Sequence, residues 1–388
     1  MNADPSGLVS VVSVDHPTHS RNLKYNPALD HIRFLAAFLV FSFHFYHSYI
    51  GFATPIRNHF YLSLITDGYT GIALFFVLSG FLFMSIALGT DRINYKDFMI
   101  NRFLRIYPLF LFMFFIGVSI GRDRFGAADV LYLMFTNVGA PPTSSTILTG
   151  AAWTISVEFT FYMVFPFLAR FAKEKGPSYL MQAILIMLVI RIATYAVADH
   201  PTTIFYWTLV GRFDQFLVGM LAAQLSFRLV PGPRMAQIIL CIGAIAVFCL
   251  VGLQARYASF NVPPNGPKQM FWIVWGPIEA TAWALCVIGY SRAEIRLPGL
   301  LSGWLQRGGE LSYSFYLMHL IVITMLLNYV GPLVTGWSPL MLLLINGIVA
   351  MGLTWLLSSL TFRVIEQPFL SMRRRYVTDP MGTRRSVG

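Results

Sequence analysis

The chain has 388 residues, of which 56% are hydrophobic, 15% aromatic and only 12% charged. Soluble domains carry about a quarter charged residues, so most of this length belongs in lipid, and disordered and disulfide-rich classes are excluded. The net charge of +11 then bears on membrane topology and does not call for a nucleic-acid partner.

Residues 1–26 are polar apart from a short apolar patch over 7–14, which follows Asp4 instead of a basic residue and makes a poor signal peptide; they read as a cytoplasmic tail. Ten apolar runs follow, at about 29–50, 68–89, 103–120, 153–171, 179–198, 204–226, 235–253, 270–291, 311–330 and 338–362, each long enough to span a bilayer. With the amino terminus inside, twenty of the 28 lysines and arginines fall in cytoplasmic segments and five in outer ones, as the positive-inside rule requires. The expected fold is an all-α integral membrane protein of about ten transmembrane helices, with both termini cytoplasmic. Residues 27–366 form the membrane domain and 367–388 a basic cytoplasmic tail. The longest outer segment, 121–152, contains a stretch over 129–137 that is too short to span and is suited to lie along the interface. Cys241, Cys249 and Cys286 fall in apolar runs without metal or disulfide spacing and read as small core hydrophobes.

Ionisable residues at membrane depth cost about 2.5–3.5 kcal/mol each on insertion scales, so each calls for a reason. In the first span Arg33 and His44 are eleven residues apart, which puts them on one helix face about 16.5 Å apart in depth, with Asp30 placed to orient Arg33. On spacing alone they read equally well as a snorkelling arginine and a hydrogen-bonded bundle histidine. Glu158 has no cation within a turn of its own helix and must face the bundle interior, either at a site or as the partner of an arginine elsewhere. Ser312, Tyr316 and His319 form one stripe, which also suits interhelical hydrogen bonding. Arg102 and Arg105 sit one turn apart where the third span enters, and a helix N-terminus with two arginines suits phosphate, although basic flanks also serve topology. Ser79 and Gly80 read as packing residues. Arg191, Arg212, Asp214 and Glu279 have no role legible in the sequence.

Five segments together resemble membrane acyltransferase family 3, which acetylates bacterial cell-surface glycans and related acceptors: Leu29-Asp-His-Ile-Arg33 with His44, Gly71 to Phe81, Asn101 to Pro108, Trp153 to Tyr162, and Leu311 to His319. The closing Ile365 to Phe369 also resembles the family's end. The resemblance implies a multi-pass protein of the cell inner membrane, acetyl-CoA as the acyl donor entering from the cytoplasm, and a glycan or lipid-linked sugar acceptor, with no metal and no nucleic acid. It implies His44 and Arg33 as the essential pair, Glu158 as the fourth-span acid, and Arg102 and Arg105 as the donor-binding arginines. Asp30, Trp153, Tyr316 and His319 are read as substrate or structural support. Two positions depart from the pattern: Phe159 stands where a second carboxylate is frequent, and Asn101 where a further arginine is frequent.

The expected chemistry is transfer of acetyl to a sugar hydroxyl, with the thioester presented near His44. His44 serves either as general base or as a transient acyl carrier, and the sequence leaves both routes open. A secondary transporter or flippase for a glycan or organic anion is the rival reading, since buried Arg, His and Glu also line substrate paths.

Overall fold

The computed structural model describes residues 22, 25–49, 60–120, 153–257, 268–331 and 338–378. The outer segment 121–152 and the patch over 7–14 lie outside them. Ten long helices follow in chain order: α1 (Pro27–Tyr49), α2 (Thr70–Leu88), α3 (Tyr95–Ile120), α4 (Trp153–Lys175), α5 (Pro177–Val197), α6 (Phe213–Leu229), α7 (Pro233–Tyr257), α8 (Phe271–Arg292), α9 (Gly299–Met325) and α10 (Pro339–Thr361). The starts are written locally. Asn26 accepts the Ala28 amide on its side-chain oxygen at 3.0 Å ahead of Pro27, and Ser338 accepts the Met341 amide at 3.4 Å ahead of Pro339. Both use a polar cap followed by proline at the first helical position.

Among the described residues nine helices are long and apolar enough to cross a membrane. The exception is α6, at 17 residues. The run predicted at 204–226 is broken into a short helix, Pro201–Trp207, a turn at Leu209–Gly211, and α6 itself. The cause is polar: the Arg191 guanidinium donates to the Gly211 carbonyl at 2.6 Å and to Asp214 at 2.7 Å, and Arg212 donates to the Tyr206 carbonyl at 2.8 Å. Side chains thus occupy carbonyls at the break that a continuous helix would pair with its own amides.

Small residues set the closest helix crossings. A Cβ on Gly80 would lie 2.2 Å from the Phe216 carbonyl oxygen, and one on Gly219 would lie 2.1 Å from that of Val77, so α2 and α6 meet backbone to backbone. This bears out the packing role of Gly80. Aliphatic side chains such as Leu185, Ile186, Ile238, Ile245, Leu356 and Leu360 are exposed on α5, α7 and α10, as lipid-facing surfaces require. Cys241 and Cys249 share that outward exposure on α7 and are not core residues; apolarity of a run does not reveal which face turns inward.

After α10 the chain continues through a π-helical turn, Phe362–Glu366, and a short helix, Gln367–Ser371. It then returns along the bundle as a strand, Val377–Thr378, paired antiparallel with Arg92–Ile93 just ahead of α3. Residues 372–378 are therefore packed against the membrane domain at its arginine-rich end.

Candidate active site

A cavity of about 230 Å³ opens between α1, α2, α3, α4 and α9, with the segment after α10 closing one side. Six of the sequence candidates line it: Asp30, Arg33, Arg102, Arg105, Glu158 and Tyr316. Arg33 is ion-paired with Asp30, one turn back on α1. Arg105 lies 3.6 Å from Glu366, a buried carboxylate that the π-helical turn directs inward and that also accepts from Ser314. Arg102 is caged by rings: its guanidinium carbon lies 4.8 Å from the centroid of Phe83, 5.6 Å from Phe98 and 5.8 Å from Tyr162. Its Nε is buried without a hydrogen-bond partner among the described residues.

The helix containing these arginines begins earlier than the hydropathy suggested. α3 starts at Tyr95, where Asn94 caps the Asp97 amide at 3.2 Å, so Arg102 and Arg105 lie two to three turns inside it. The expectation that they share a helix N-terminus is corrected. The amides there are about 10 Å away along the axis and partly capped, so any anion at these arginines is held by guanidinium charge without the helix end.

Glu158 is reached by hydroxyls. Ser79 on α2 donates to its Oε1 at 3.0 Å, and Tyr162, one turn on in α4, donates to the same oxygen. Among the described residues nothing donates to Oε2, and the side chain lines the cavity. Ser79 thus does more than pack. The Glu158–Tyr162 pair was legible as an i, i+4 spacing on one face; Ser79 carried no such signal.

The deep end is closed by Tyr316 on α9, whose hydroxyl accepts from Thr154 at 3.1 Å and whose ring packs edge-on against Phe75. His44 and His319 do not line the cavity; they form a pair behind Tyr316. His319 Nδ1 lies 2.6 Å from the Tyr316 carbonyl, and its Nε2 lies 3.0 Å from His44 Nδ1. A carbonyl only accepts, so His319 carries its proton on Nδ1 and presents a lone pair from Nε2. His44 must then carry its proton on Nδ1, shared between His319 and the Val40 carbonyl at 3.1 Å. That leaves His44 Nε2 with the lone pair. Trp153 stands apart, against Tyr206 and Trp207, with the Arg212 guanidinium 5.7 Å from its ring.

Two lining residues escaped the sequence reading because they belong to the basic tail. Arg373 and Tyr376 wall the cavity from the segment after α10. Asn101 on α3 holds that segment with both ends of its amide, donating to the Arg374 carbonyl at 2.5 Å and accepting the Arg374 amide at 2.8 Å. Tyr376 packs on Phe98, and its carbonyl accepts the Asn94 amide at 2.8 Å. Burial, together with repulsion from Arg105, Arg102 and Arg33, pushes the Arg373 guanidinium down to about 9, so it remains cationic at neutral pH.

The four residues without a legible role form a separate network. Arg191, which also donates to the Trp272 carbonyl at 2.9 Å, is paired with Asp214, and both are almost fully buried. Gln215 links Arg212 at 3.5 Å to Glu279 at 3.4 Å. The network pins the break before α6 to α5 and α8. Among the described residues no group of three or more His, Cys, Asp or Glu side chains is arranged to hold a metal ion.

No solved structure matches the chain significantly. Peptidoglycan O-acetyltransferase OatA of Listeria monocytogenes is 25% identical over 89% of this chain and 56% of its own length. Acyltransferase MdmB of Streptomyces mycarofaciens is 28% identical over 76% of this chain and 79% of its own length. The putative peptidoglycan O-acetyltransferase YrhL of Bacillus subtilis is 24% identical, with 91% of this chain and 57% of its own length covered. The chain thus spans little more than half the length of two of these three relatives. A family model described as an acyltransferase domain matches residues 26–359, nearly the whole membrane bundle and most of the residues around the cavity, and the chain belongs to that acyltransferase family.

Proposed function

We propose that the protein is an integral-membrane O-acetyltransferase of the cell inner membrane. It moves acetyl from cytoplasmic acetyl-CoA to a hydroxyl of a cell-surface polysaccharide or lipid-linked glycan, with His44 as base. The observation that carries this reading is a cavity that gathers Arg33, Arg102, Arg105 and Glu158 and is lined also by Tyr316, directly before the His319–His44 pair. The names of the relatives, two of them peptidoglycan O-acetyltransferases, support a glycan as the acetylated acceptor.

Arg102 and Arg105 hold the donor's phosphates, and the pantetheine arm runs past Arg33 toward Tyr316. The acceptor hydroxyl approaches His44, whose Nε2 takes its proton as the oxygen attacks the thioester carbonyl. The carbon–sulfur bond breaks, the thiolate leaves and the imidazolium returns the proton to it, giving ester and free coenzyme A. His319 and the Val40 carbonyl together hold the His44 tautomer. Glu158 offsets the charge of Arg102 and Arg105 and moves no proton. Since Tyr316 and Phe75 separate the cavity from His44, their side chains swing aside when the thioester is presented.

The test is purified protein in proteoliposomes with radiolabelled acetyl-CoA and either peptidoglycan fragments or a lipid-linked oligosaccharide. Label on a glycan hydroxyl, lost in His44→Ala, is the expected result. Transport of unmodified solute without label transfer, or full transfer by His44→Ala, overturns the reading.

A further inference from the structure

The segment after α10 contributes chemistry to the cavity as well as a wall. Its strand pairing to Arg92–Ile93, the Asn101 amide clamp on Arg374 and the Tyr376–Phe98 contact fix residues 373–378 against α3 from three directions. The clamp grips the backbone of Arg374, and the adjacent Arg373 side chain is the one that enters the cavity lining, while Arg374 and Arg375 stay exposed. Arg33 and Arg105 each have a carboxylate partner in Asp30 and Glu366, whereas Arg102 is caged by aromatic rings and feels the Glu158 carboxylate at longer range.

We infer that Arg373 is a third phosphate-binding cation of the donor mouth, delivered there by the Asn101-clamped segment. The inference rests on the proposed acyl-CoA donor. Coenzyme A carries two separate anionic groups, a diphosphate and a 3′-phosphomonoester, and two neighbouring arginines on one helix turn cannot embrace both. Arg373 comes from a different element and adds a guanidinium from another direction, where its planar fork suits two phosphate oxygens. Arg373, whose Nε donates to the Leu370 carbonyl at 3.0 Å, lies near enough to Arg102 and Arg105 for the three guanidinium groups to repel one another, and a bound polyanion relieves that repulsion.

The experiment is calorimetric titration of the full chain in nanodiscs with coenzyme A, 3′-dephospho-coenzyme A and pantetheine. Arg373→Gln should bind coenzyme A about ten- to hundredfold more weakly, Arg373→Lys should recover most of that loss, and pantetheine binding should be unchanged. A loss confined to coenzyme A assigns the 3′-phosphate, and an equal loss with the dephospho form assigns the diphosphate; either supports the inference. Since the substitution removes a repulsive charge, the empty Arg373→Gln protein should melt no lower than the parent. Coenzyme A affinity within twofold of the parent, or an equal loss of pantetheine affinity, overturns the role of Arg373 while leaving the donor reading intact. A parent protein that binds none of the three overturns both.

Discussion

His319 and His44 face each other across α9 and α1 with Nε2 and Nδ1 3.0 Å apart, and the carbonyls of Tyr316 and Val40 together leave His44 Nε2 with its lone pair free. His319→Ala removes one of the two acceptors of the His44 Nδ1–H and leaves the Val40 carbonyl alone to hold the ring's tautomer and orientation. Turnover should fall about ten- to hundredfold with acetyl-CoA affinity unchanged, whereas His44→Ala should lose roughly 10²–10⁴. Label-transfer kinetics on the two variants check this, and equal losses in both would remove the positioning role from His319.

Glu158→Gln keeps an oxygen for Ser79 and Tyr162 to donate to and removes only the charge. It should leave the pH profile of turnover unshifted and tighten coenzyme A binding, because an acid beside Arg102 and Arg105 is gone. Disappearance of one limb of the pH profile would show that Glu158 transfers a proton after all.

The Arg191–Asp214 pair is structural and should behave so. Asp214→Leu leaves a buried guanidinium without its acid, at a cost of about 3–5 kcal/mol, while Arg191→Met combined with Asp214→Leu should recover much of it. Melting curves in detergent check the pattern. Surviving Asp214→Leu protein should bind acetyl-CoA as the parent does.

Gly80→Ala places a methyl group against the Phe216 carbonyl and must push α2 from α6. A loss of about 1–3 kcal/mol is expected, read as a lower melting temperature, and Ser79 should be drawn off Glu158. Unchanged melting would mean that the crossing is looser than its geometry.

The spans were legible because lipid demands long apolar runs, and nine helices among the described residues answer to them. The break before α6 was not legible: it depends on Arg191 meeting Gly211, a contact between elements that hydropathy cannot see. The start of α3 was misplaced for a related reason. Its first two turns carry Lys96, Asp97 and Asn101 and are too polar to register in a hydropathy window, although Asn94 caps a regular helix there. Of the site, Arg33, Arg102, Arg105 and Glu158 stood out because charge is scarce at membrane depth. Arg373 did not, being one of several arginines in a tail in which its neighbours Arg374 and Arg375 stay exposed.

The antiparallel pairing of Val377–Thr378 with Arg92–Ile93 also orders events during synthesis. Strand and partner are separated by some 280 residues, so α1 to α9 are all made before Arg373 and Tyr376 leave the ribosome. A chain halted within α10 already has the aromatic cage for Arg102 but lacks the wall that Tyr376 supplies. Incompletely made chains therefore present an unfinished cavity.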